Sequence, residues 1–189
     1  YDVEDMDAIL DQFISFMRDG SDEELQDTDI NMLLQELVIQ FKPLDIRFTV
    51  QDVPVIQARS QSLKRMIGNL INNSRRYGAE PIELSAKVED EHIFIRVADN
   101  GEGIPEDQIE DLMQPFVRGD EARTVQGSGL GLAIVKRIVD MHQGQLSIHN
   151  RPEGGLEAVI CLPILHDEIE ENVPHSALGK IKQTFTGHF

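Results

Sequence analysis

The stretch NLINNSRRYG (residues 69–78) places three asparagines and two consecutive arginines in a segment that otherwise has the apolar spacing of a helix. Residues 60–77 are predicted to form this helix. At about 100° per residue, Asn69, Asn73 and Arg76 form a stripe beside its apolar face. Asparagine competes with the helix for backbone hydrogen bonds, whereas an amide oxygen is a good ligand for a hard cation. The stripe therefore suits an oxygen-rich, charged ligand, and a solvated helix edge is the alternative for this segment alone.

The composition excludes several classes of protein. The chain has 189 residues, of which 40% are hydrophobic, enough for one domain and an additional segment. Its net charge of −17 argues against nonspecific nucleic-acid binding, so we expect no nucleic-acid partner. No apolar run reaches the roughly 20 residues of a membrane span, and no signal peptide is recognisable. The single Cys161 has apolar neighbours and is expected in the core.

The order of helical and strand patterns favours an α/β fold. Apolar alternation predicts strands over residues 45–52, 54–58, 82–88, 92–99, 144–150 and 156–164, and the spacing of apolar residues predicts helices over 32–41, 60–77, 106–116 and 130–143. Asp29 or Asn31 is a candidate cap for the first of these helices. We expect a two-layer sandwich in which helices cover one mixed, mostly antiparallel sheet.

The chain is predicted to divide into four parts. Residues 1–19 have the apolar stripe of an amphipathic helix, and residues 20–30 are expected to be a linker. The α/β domain is expected over 31–165. The tail, 166–189, mixes charge, proline and glycine and is predicted to be weakly ordered.

Two glycine-containing loops add to the polar stripe. DNGEG (residues 99–103) directly follows a predicted strand, and its glycines permit close approach of the backbone to a ligand. GSGLGL (127–132) opens a predicted helix, whose free amide donors and positive dipole end suit phosphates. The spacing is neither the dinucleotide fingerprint nor the P-loop.

Taken in order, NxxxN on a helix, DxGxG after a strand, FVRG (116–119) and GxGLGL before a helix resemble the ATP-binding catalytic domain of the sensor histidine kinases of two-component systems. This family shares the Bergerat (GHKL) fold with gyrase, the Hsp90 chaperone and MutL. The resemblance covers residues 29–165. The wording of residues 114–144 is most similar to the osmosensor EnvZ group.

The resemblance implies roles for the stripe and the first loop. Asn73 would ligate Mg²⁺ that bridges the phosphates of ATP, with Asn69 beside it and Arg76 facing the phosphates. Tyr77 would lie against the adenine. Asp99 would accept a hydrogen bond from the adenine amino group, so that guanine, which has a carbonyl there, is rejected.

The resemblance also implies a mobile lid over residues 117–126. Arg118 and Arg123 would contact phosphates, and Phe116 would be either a lid hinge or an ordinary core aromatic. The other implied nucleotide-binding residues are Ser74, Arg75, Gly101, Gly103, Ile104, Gly119, Gly127, Ser128, Gly129, Leu130, Gly131 and Leu132.

The expected phosphoacceptor is missing. None of the six histidines lies in a sequence like H-[ED]-x-[RK]-x-P. Residues 1–19 would be the last part of the dimerisation hairpin that carries the acceptor. The chain is thus expected to bind Mg·ATP and to transfer the γ-phosphoryl group to a histidine on a dimerisation domain outside it.

The resemblance further implies relay of the phosphoryl group to an aspartate of an OmpR-like response regulator. The full-length protein is expected to be a bacterial homodimer whose cytoplasmic portion, anchored at the inner membrane, includes this chain. The alternatives are an ATPase clamp of the MutL or gyrase type, an anti-sigma-type serine kinase that binds a partner protein, and a module that keeps the fold without the nucleotide.

Overall fold

Apart from β1, which was not predicted, the helices and strands follow the predicted order. The computed structural model describes Ile14, residues 22–115, Val117 and residues 129–164. The strands are β1 (Gln26–Asp29), β2 (Ile46–Gln51), β3 (Val55–Ala58), β4 (Ile82–Glu89), β5 (His92–Ala98), β6 (Gln145–Asn150) and β7 (Leu156–Pro163). The helices are α1 (Ile30–Gln40), α2 (Ser60–Tyr77), the single turn α3 (Glu106–Ile109) and α4 (Gly131–Met141), with a 3-10 turn at Asp111–Met113.

Five strands form the main sheet in the order β2-β4-β5-β7-β6. β2 runs parallel to β4, and the other neighbouring pairs are antiparallel. The side chains that point to one face of this sheet are buried, in β4, β5 and β7 alike: Ile82, Leu84, Ala86, Ile93, Ile95, Val97, Ala158, Ile160 and Leu162. The predicted two-layer sandwich with a mixed, mostly antiparallel sheet is therefore confirmed.

The helices cover that buried face. α2 and α4 pack against each other, and their buried apolar side chains join the core of the sheet. α4 is buried along much of its length because its sequence is apolar on several sides, as in Ile134, Val135 and Ile138. Asp29 caps α1, since its Oδ1 accepts a hydrogen bond of 3.0 Å from the Met32 N–H.

The prediction of a linker over residues 20–30 is wrong for residues 26–29, which form β1. β1 pairs antiparallel with β3 in a second, two-stranded sheet. Thr28 is buried and its hydroxyl donates to the carbonyl of Ala58 at 3.3 Å. The sequence QDTD has no apolar alternation, so only the pairing of its backbone reveals the strand. The fold therefore includes residues before 31.

Cys161 also departs from its prediction. It alternates with the buried Ile160 and Leu162 along β7, so it lies on the opposite face of the sheet and is partly exposed. Burial raises the pKa of its thiol. Of the predicted helix over residues 1–19, only Ile14 belongs to the described residues, where it is helical. The tail, 166–189, lies outside them. Among the described residues, no helix combines the length and apolar character needed to cross a bilayer.

Candidate functional site

The polar stripe of α2 separates from its apolar face as predicted. Met66, Ile67, Leu70 and Ser74 are buried. Asn69 and Asn73 are partly buried, and Arg75 and Arg76 are exposed. Tyr77, which the spacing places on the apolar face, is instead 44% exposed because it is the last residue of the helix. It therefore lies open to a ligand rather than in the core.

The end of α2 meets the loop that follows β5. Gly78 ends the helix, and a Cβ placed on it would lie 2.4 Å from Cγ of Asp99. A Cβ on Gly101 would lie 2.7 Å from Cα of Gly78. These contacts require glycine at both positions because any side chain would displace the carboxylate or the backbone. Gly78, which the sequence analysis did not single out, is thus part of the wall around Asp99.

Asp99 is buried, at 4% exposure, and its two carboxylate oxygens differ in their hydrogen bonds. Oδ1 accepts hydrogen bonds from the N–H groups of Gly101 at 3.0 Å and Leu156 at 3.2 Å. Oδ2 accepts none from the part of the chain that is described. The carboxylate therefore has one oxygen fixed by the protein and one available to a ligand.

The start of α4 lies beside the stripe. A Cβ placed on Gly131 would lie 3.3 Å from Oδ1 of Asn73. Gly129 has a φ of +71°, a conformation that favours glycine, and Leu130 is fully buried. Leu132 is partly buried. The first turn of α4 and the amide of Asn73 thus face the same space.

Several predicted site residues cannot be placed in this arrangement. Outside the described residues lie Phe116, Arg118, Gly119, Arg123, Gly127 and Ser128. The described part of the site therefore comprises the stripe, the loop after β5 and the first turn of α4.

Asn150, at the end of β6, holds the far end of the loop after β5. Its Oδ1 accepts a hydrogen bond from Ile104 N–H at 2.9 Å, and its Nδ2 donates to the Ile104 carbonyl at 2.7 Å. Gly103 has a φ of +82°, and a Cβ on it would lie 2.4 Å from Oδ1 of Asn150. No local sequence pattern marks Asn150, because it lies 46 residues from Ile104 in the chain.

Arg151 holds the near end of the same loop. Its Nη1 donates to the Asp99 carbonyl at 3.0 Å and to Oδ1 of Asn100 at 3.3 Å. Its Nη2 lies 2.6 Å from Glu153 and 3.4 Å from Glu83. The hydrogen bond from Arg96 lowers the pKa of Glu83, which keeps that carboxylate ionised beside Arg151. The Arg151 side chain is only 8% exposed.

The turn between β6 and β7 approaches Asp99 closely. Gly155 has a φ of +93°, and a Cβ on it would lie 1.9 Å from the Asp99 carbonyl oxygen. The Asp99 N–H donates to the Leu156 carbonyl at 3.0 Å. In the sequence, the adjacent glycines 154 and 155 indicate a position where two backbone segments come close together.

The stripe contains a donor without a partner. Nδ2 of Asn69 is buried and has no hydrogen bond within the described residues. An unpaired buried donor costs about 1–3 kcal/mol, and a phosphate oxygen or a metal-bound water would satisfy it. Nowhere among the described residues do three or more His, Cys, Asp or Glu side chains gather in a group able to hold a metal. A cation beside Asn73 would therefore have few ligands from the protein, which is common for Mg²⁺ that is bound together with phosphates.

The opposite end of α2 is capped by two distant side chains. Oε1 of Glu23 accepts from Gln61 N–H at 2.7 Å, and its Oε2 accepts from the N–H and hydroxyl of Ser62 at 3.0 and 2.7 Å. Nε2 of His142, at the end of α4, accepts from Arg59 N–H at 3.2 Å. Arg59 itself provides no side-chain cap.

His142 is buried and neutral in this arrangement. Because Nε2 accepts a hydrogen bond, Nδ1 carries the proton and donates to the Ile138 carbonyl at 2.8 Å. Burial lowers the pKa of His142, and the nearby Arg59 lowers it further, whereas Glu23 acts in the opposite direction. His142 therefore has a structural role, as a cap of α2.

Comparison with known proteins places this arrangement in a family. The family model described as Histidine kinase-, DNA gyrase B-, and HSP90-like ATPase matches residues 58–166. The sensor histidine kinase GtrS of Pseudomonas aeruginosa is 32% identical over 167 residues, which are 87% of this chain and 34% of GtrS. The chain thus spans about a third of the length of this curated relative.

Two solved structures agree with the family. The NMR structure of the histidine kinase domain of the Escherichia coli osmosensor EnvZ is 34% identical, with a TM-score of 0.61 over 83% of this chain and 99% of that one. Full-length ShkA in complex with AMPPNP is 25% identical, with a TM-score of 0.72 over 82% of this chain and 35% of that one. The chain therefore belongs to the family of histidine kinase-, DNA gyrase B- and HSP90-like ATPases, and it carries an ATP-binding catalytic domain of the sensor histidine kinase type.

Proposed function

We propose that this domain binds Mg·ATP at the C-terminal end of α2 and transfers the γ-phosphoryl group to a histidine on a dimerisation domain. The observation that carries the proposal is the meeting of three separate sequence segments at this end. Asn73 lies beside Gly131, and Gly78 lies against Asp99. The crystallised relative ShkA, which binds AMPPNP, supports ATP as the nucleotide.

Asp99 would recognise the adenine. Its Oδ1 is already occupied by two backbone N–H groups, so Oδ2 would accept from the exocyclic amino group of the base. Guanine presents a carbonyl at that position, and two acceptors facing each other would leave a buried carboxylate unpaired. Tyr77, exposed beside Gly78, would pack against the base, and Gly101, Gly103 and Ile104 would form the rest of this wall.

The phosphates would lie along the stripe and the first turn of α4. Asn73 would contribute its amide oxygen to Mg²⁺, which neutralises charge on the phosphates during transfer. Asn69 would donate from its unpaired Nδ2. Arg75 and Arg76 are exposed near the end of α2 and would supply positive charge to an otherwise acidic chain.

The lid would complete this part of the site. Within the lid, residues 117–126, Arg118 and Arg123 would contact phosphates, and Gly119 would also bind the nucleotide. The residues that would wrap the phosphates at the start of α4 are Gly127, Ser128, Gly129, Leu130 and Gly131, with Leu132 next to them. The N–H groups at the start of a helix are free to donate to phosphate.

The relatives support a wider role for the protein. We propose that the phosphoryl group passes from the acceptor histidine to an aspartate of an OmpR-like response regulator. The dimerisation domain would bring two copies together. The relatives are named as sensor kinases, so we propose a bacterial protein whose cytoplasmic part, held at the inner membrane, includes this domain.

Nucleotide titrations test the site. We expect Asn73→Ala to remove most of the dependence of ATP affinity on Mg²⁺, because the variant loses a metal ligand. We expect Asp99→Asn to lose most of the preference for ATP over GTP, because the amide can donate to guanine. Ser85→Ala, on the opposite face of the sheet, is the control. Wild-type values in both site variants would contradict the proposal.

A further inference from the structure

The loop 99–104 is held mainly from outside. Within it, the Gly101 N–H bonds to Oδ1 of Asp99. Asn100 is tied to the segment after α2, through its N–H to Ala79 and its Nδ2 to Pro81. Gly78 lies against Asp99 and Gly101, and the remaining hydrogen bonds of the loop come from the β6–β7 turn, defined here as residues 150–156. The position of Asp99 in space therefore depends on this turn.

The β6–β7 turn forms hydrogen bonds with both ends of the loop 99–104. Arg151 donates to the carbonyl of Asp99, and Leu156 exchanges backbone and side-chain hydrogen bonds with the same residue. Asn150 makes a reciprocal pair of hydrogen bonds with the backbone of Ile104. Two such anchors leave the loop little freedom to rotate between them.

One of these anchors, Leu156, also holds one of the two carboxylate oxygens of Asp99. The Asp99 side chain can turn about two bonds, and hydrogen bonds to Oδ1 fix both of them. The Leu156 N–H supplies one of those bonds, so a shift of the turn would loosen the carboxylate. The direction of Oδ2 decides whether an amino group or a carbonyl fits opposite it.

We propose that Asn150 and Arg151 are positioning residues that determine the selectivity of the site for adenine over guanine, acting through Asp99 without touching the nucleotide. This inference rests on the proposed function, since it takes Asp99 as the residue that reads the base. A merely structural role would weaken all nucleotides alike, whereas a role in orientation changes the ratio of ATP to GTP affinity.

Asn150→Asp is the most specific test of the anchor at Ile104. It keeps the acceptor for the Ile104 N–H but replaces the donor with an oxygen facing the Ile104 carbonyl. Arg151→Lys keeps the charge but leaves one nitrogen in place of three, so the bonds of Nη1 to Asp99 and Asn100 and those of Nη2 to Glu153 and Glu83 cannot all be kept. Ser147→Asp adds the same charge at an exposed position of β6 and is the matched control.

The measurement is the affinity of the chain for ATP and for GTP, each with Mg²⁺, by calorimetric titration. In Asn150→Asp we expect the ATP-to-GTP affinity ratio to fall about tenfold, the effect of one lost buried hydrogen bond. We expect a severalfold fall in Arg151→Lys and the wild-type ratio in Ser147→Asp. Thermal unfolding of each variant checks that it is folded, and Arg151→Lys carries the test if Asn150→Asp does not fold.

Two results would overturn the inference. One is an unchanged ratio in the folded variants. The other is an equal loss of affinity for both nucleotides, which indicates a structural role only. A wild-type chain that binds ATP and GTP equally would instead refute the role of Asp99 in the proposed function, so the two failures can be told apart.

Discussion

The two ends of α2 differ in where their polar groups find partners. At the N-terminal end, Glu23 and His142 accept hydrogen bonds from the backbone N–H groups that a helix leaves free. In the C-terminal half, Asn69 has a buried donor without a partner among the described residues, and Arg76 and Tyr77 at the end are exposed. The backbone N–H groups at the start of the helix are thus capped by protein side chains, whereas the polar side chains of its C-terminal half are the ones that we propose to bind the nucleotide.

This difference separates stability from function along a single helix. Changes at the N-terminal end should lower the free energy of unfolding and leave nucleotide affinity nearly unchanged. Changes at the C-terminal end should alter nucleotide affinity more than stability. α4 contacts both parts of α2. His142, which directly follows α4, accepts a hydrogen bond from the Arg59 N–H, and Gly131, the first residue of α4, lies beside Asn73.

The largest expected effect is that of Gly78→Ala. The added Cβ would lie 2.4 Å from Cγ of Asp99 and must displace a carboxylate that two backbone N–H groups hold. We expect ATP affinity to fall on the order of a hundredfold, through loss of about 2–3 kcal/mol of hydrogen bonding. Calorimetric titration with Mg·ATP measures this change.

Gly68→Ala is the control within the same helix. Its Cβ would make ordinary contact with the ring of Phe41 at 3.9 Å. Alanine should stabilise the helix by about 0.5–1 kcal/mol and leave ATP affinity unchanged. If Gly78→Ala binds ATP as tightly as Gly68→Ala does, the contact between Gly78 and Asp99 is not needed for binding.

The next effect is that of Glu23→Gln at the other end of α2. The amide can satisfy only part of a cap that uses both carboxylate oxygens. We expect a loss of about 1–2 kcal/mol, which lowers the Tm by about 2–4 °C per kcal/mol. Glu24→Gln changes the exposed neighbouring residue and should melt like the wild type. Equal Tm values for the two variants would show that the cap does not stabilise the helix.

The smallest effect is the pH dependence that His142 introduces. Because its pKa is lowered in the folded protein, the unfolded chain takes up the proton first as the pH falls below about 6.5. The free energy of unfolding should then decrease as the pH drops towards the folded pKa, and level off below it. Denaturant unfolding at several pH values, compared between the wild type and His142→Gln, measures it.

His149 provides the control for that experiment. It is exposed on β6 beside Glu157, so His149→Gln should keep the pH dependence that is due to His142. Should His142→Gln retain the full wild-type slope between pH 6.5 and 5.5, another group is responsible and the buried cap does not titrate as described.

The sequence predicted the parts of this molecule that depend on local patterns. The period of apolar residues defined α2 and the β4–β5 hairpin, and fixed spacings marked Asn73, Asp99 and the glycine loops. β1 could not be predicted, because its sequence QDTD does not alternate between apolar and polar residues. The extent of α3 was also overestimated, since its single turn is followed by a 3-10 turn.

The contacts that orient the site could not be predicted in the same way. Glu23 reaches Ser62 across 39 residues, and Arg151 reaches Asp99 across 52. Neither glutamate nor arginine carries a local signal for such contacts, because these residues are common on any surface. Only the strand order, which places β7 beside β5, brings the β6–β7 turn to Asp99.

Asp99 follows β5, the middle strand of the five. A middle strand opens only when its neighbours on both sides open, so its amide protons exchange slowly with solvent. The carboxylate that we propose to read the base is consequently attached to the part of the domain that we expect to fluctuate least. A nucleotide arriving there finds the acceptor already immobilised, and little ordering entropy is spent at that end of the ligand.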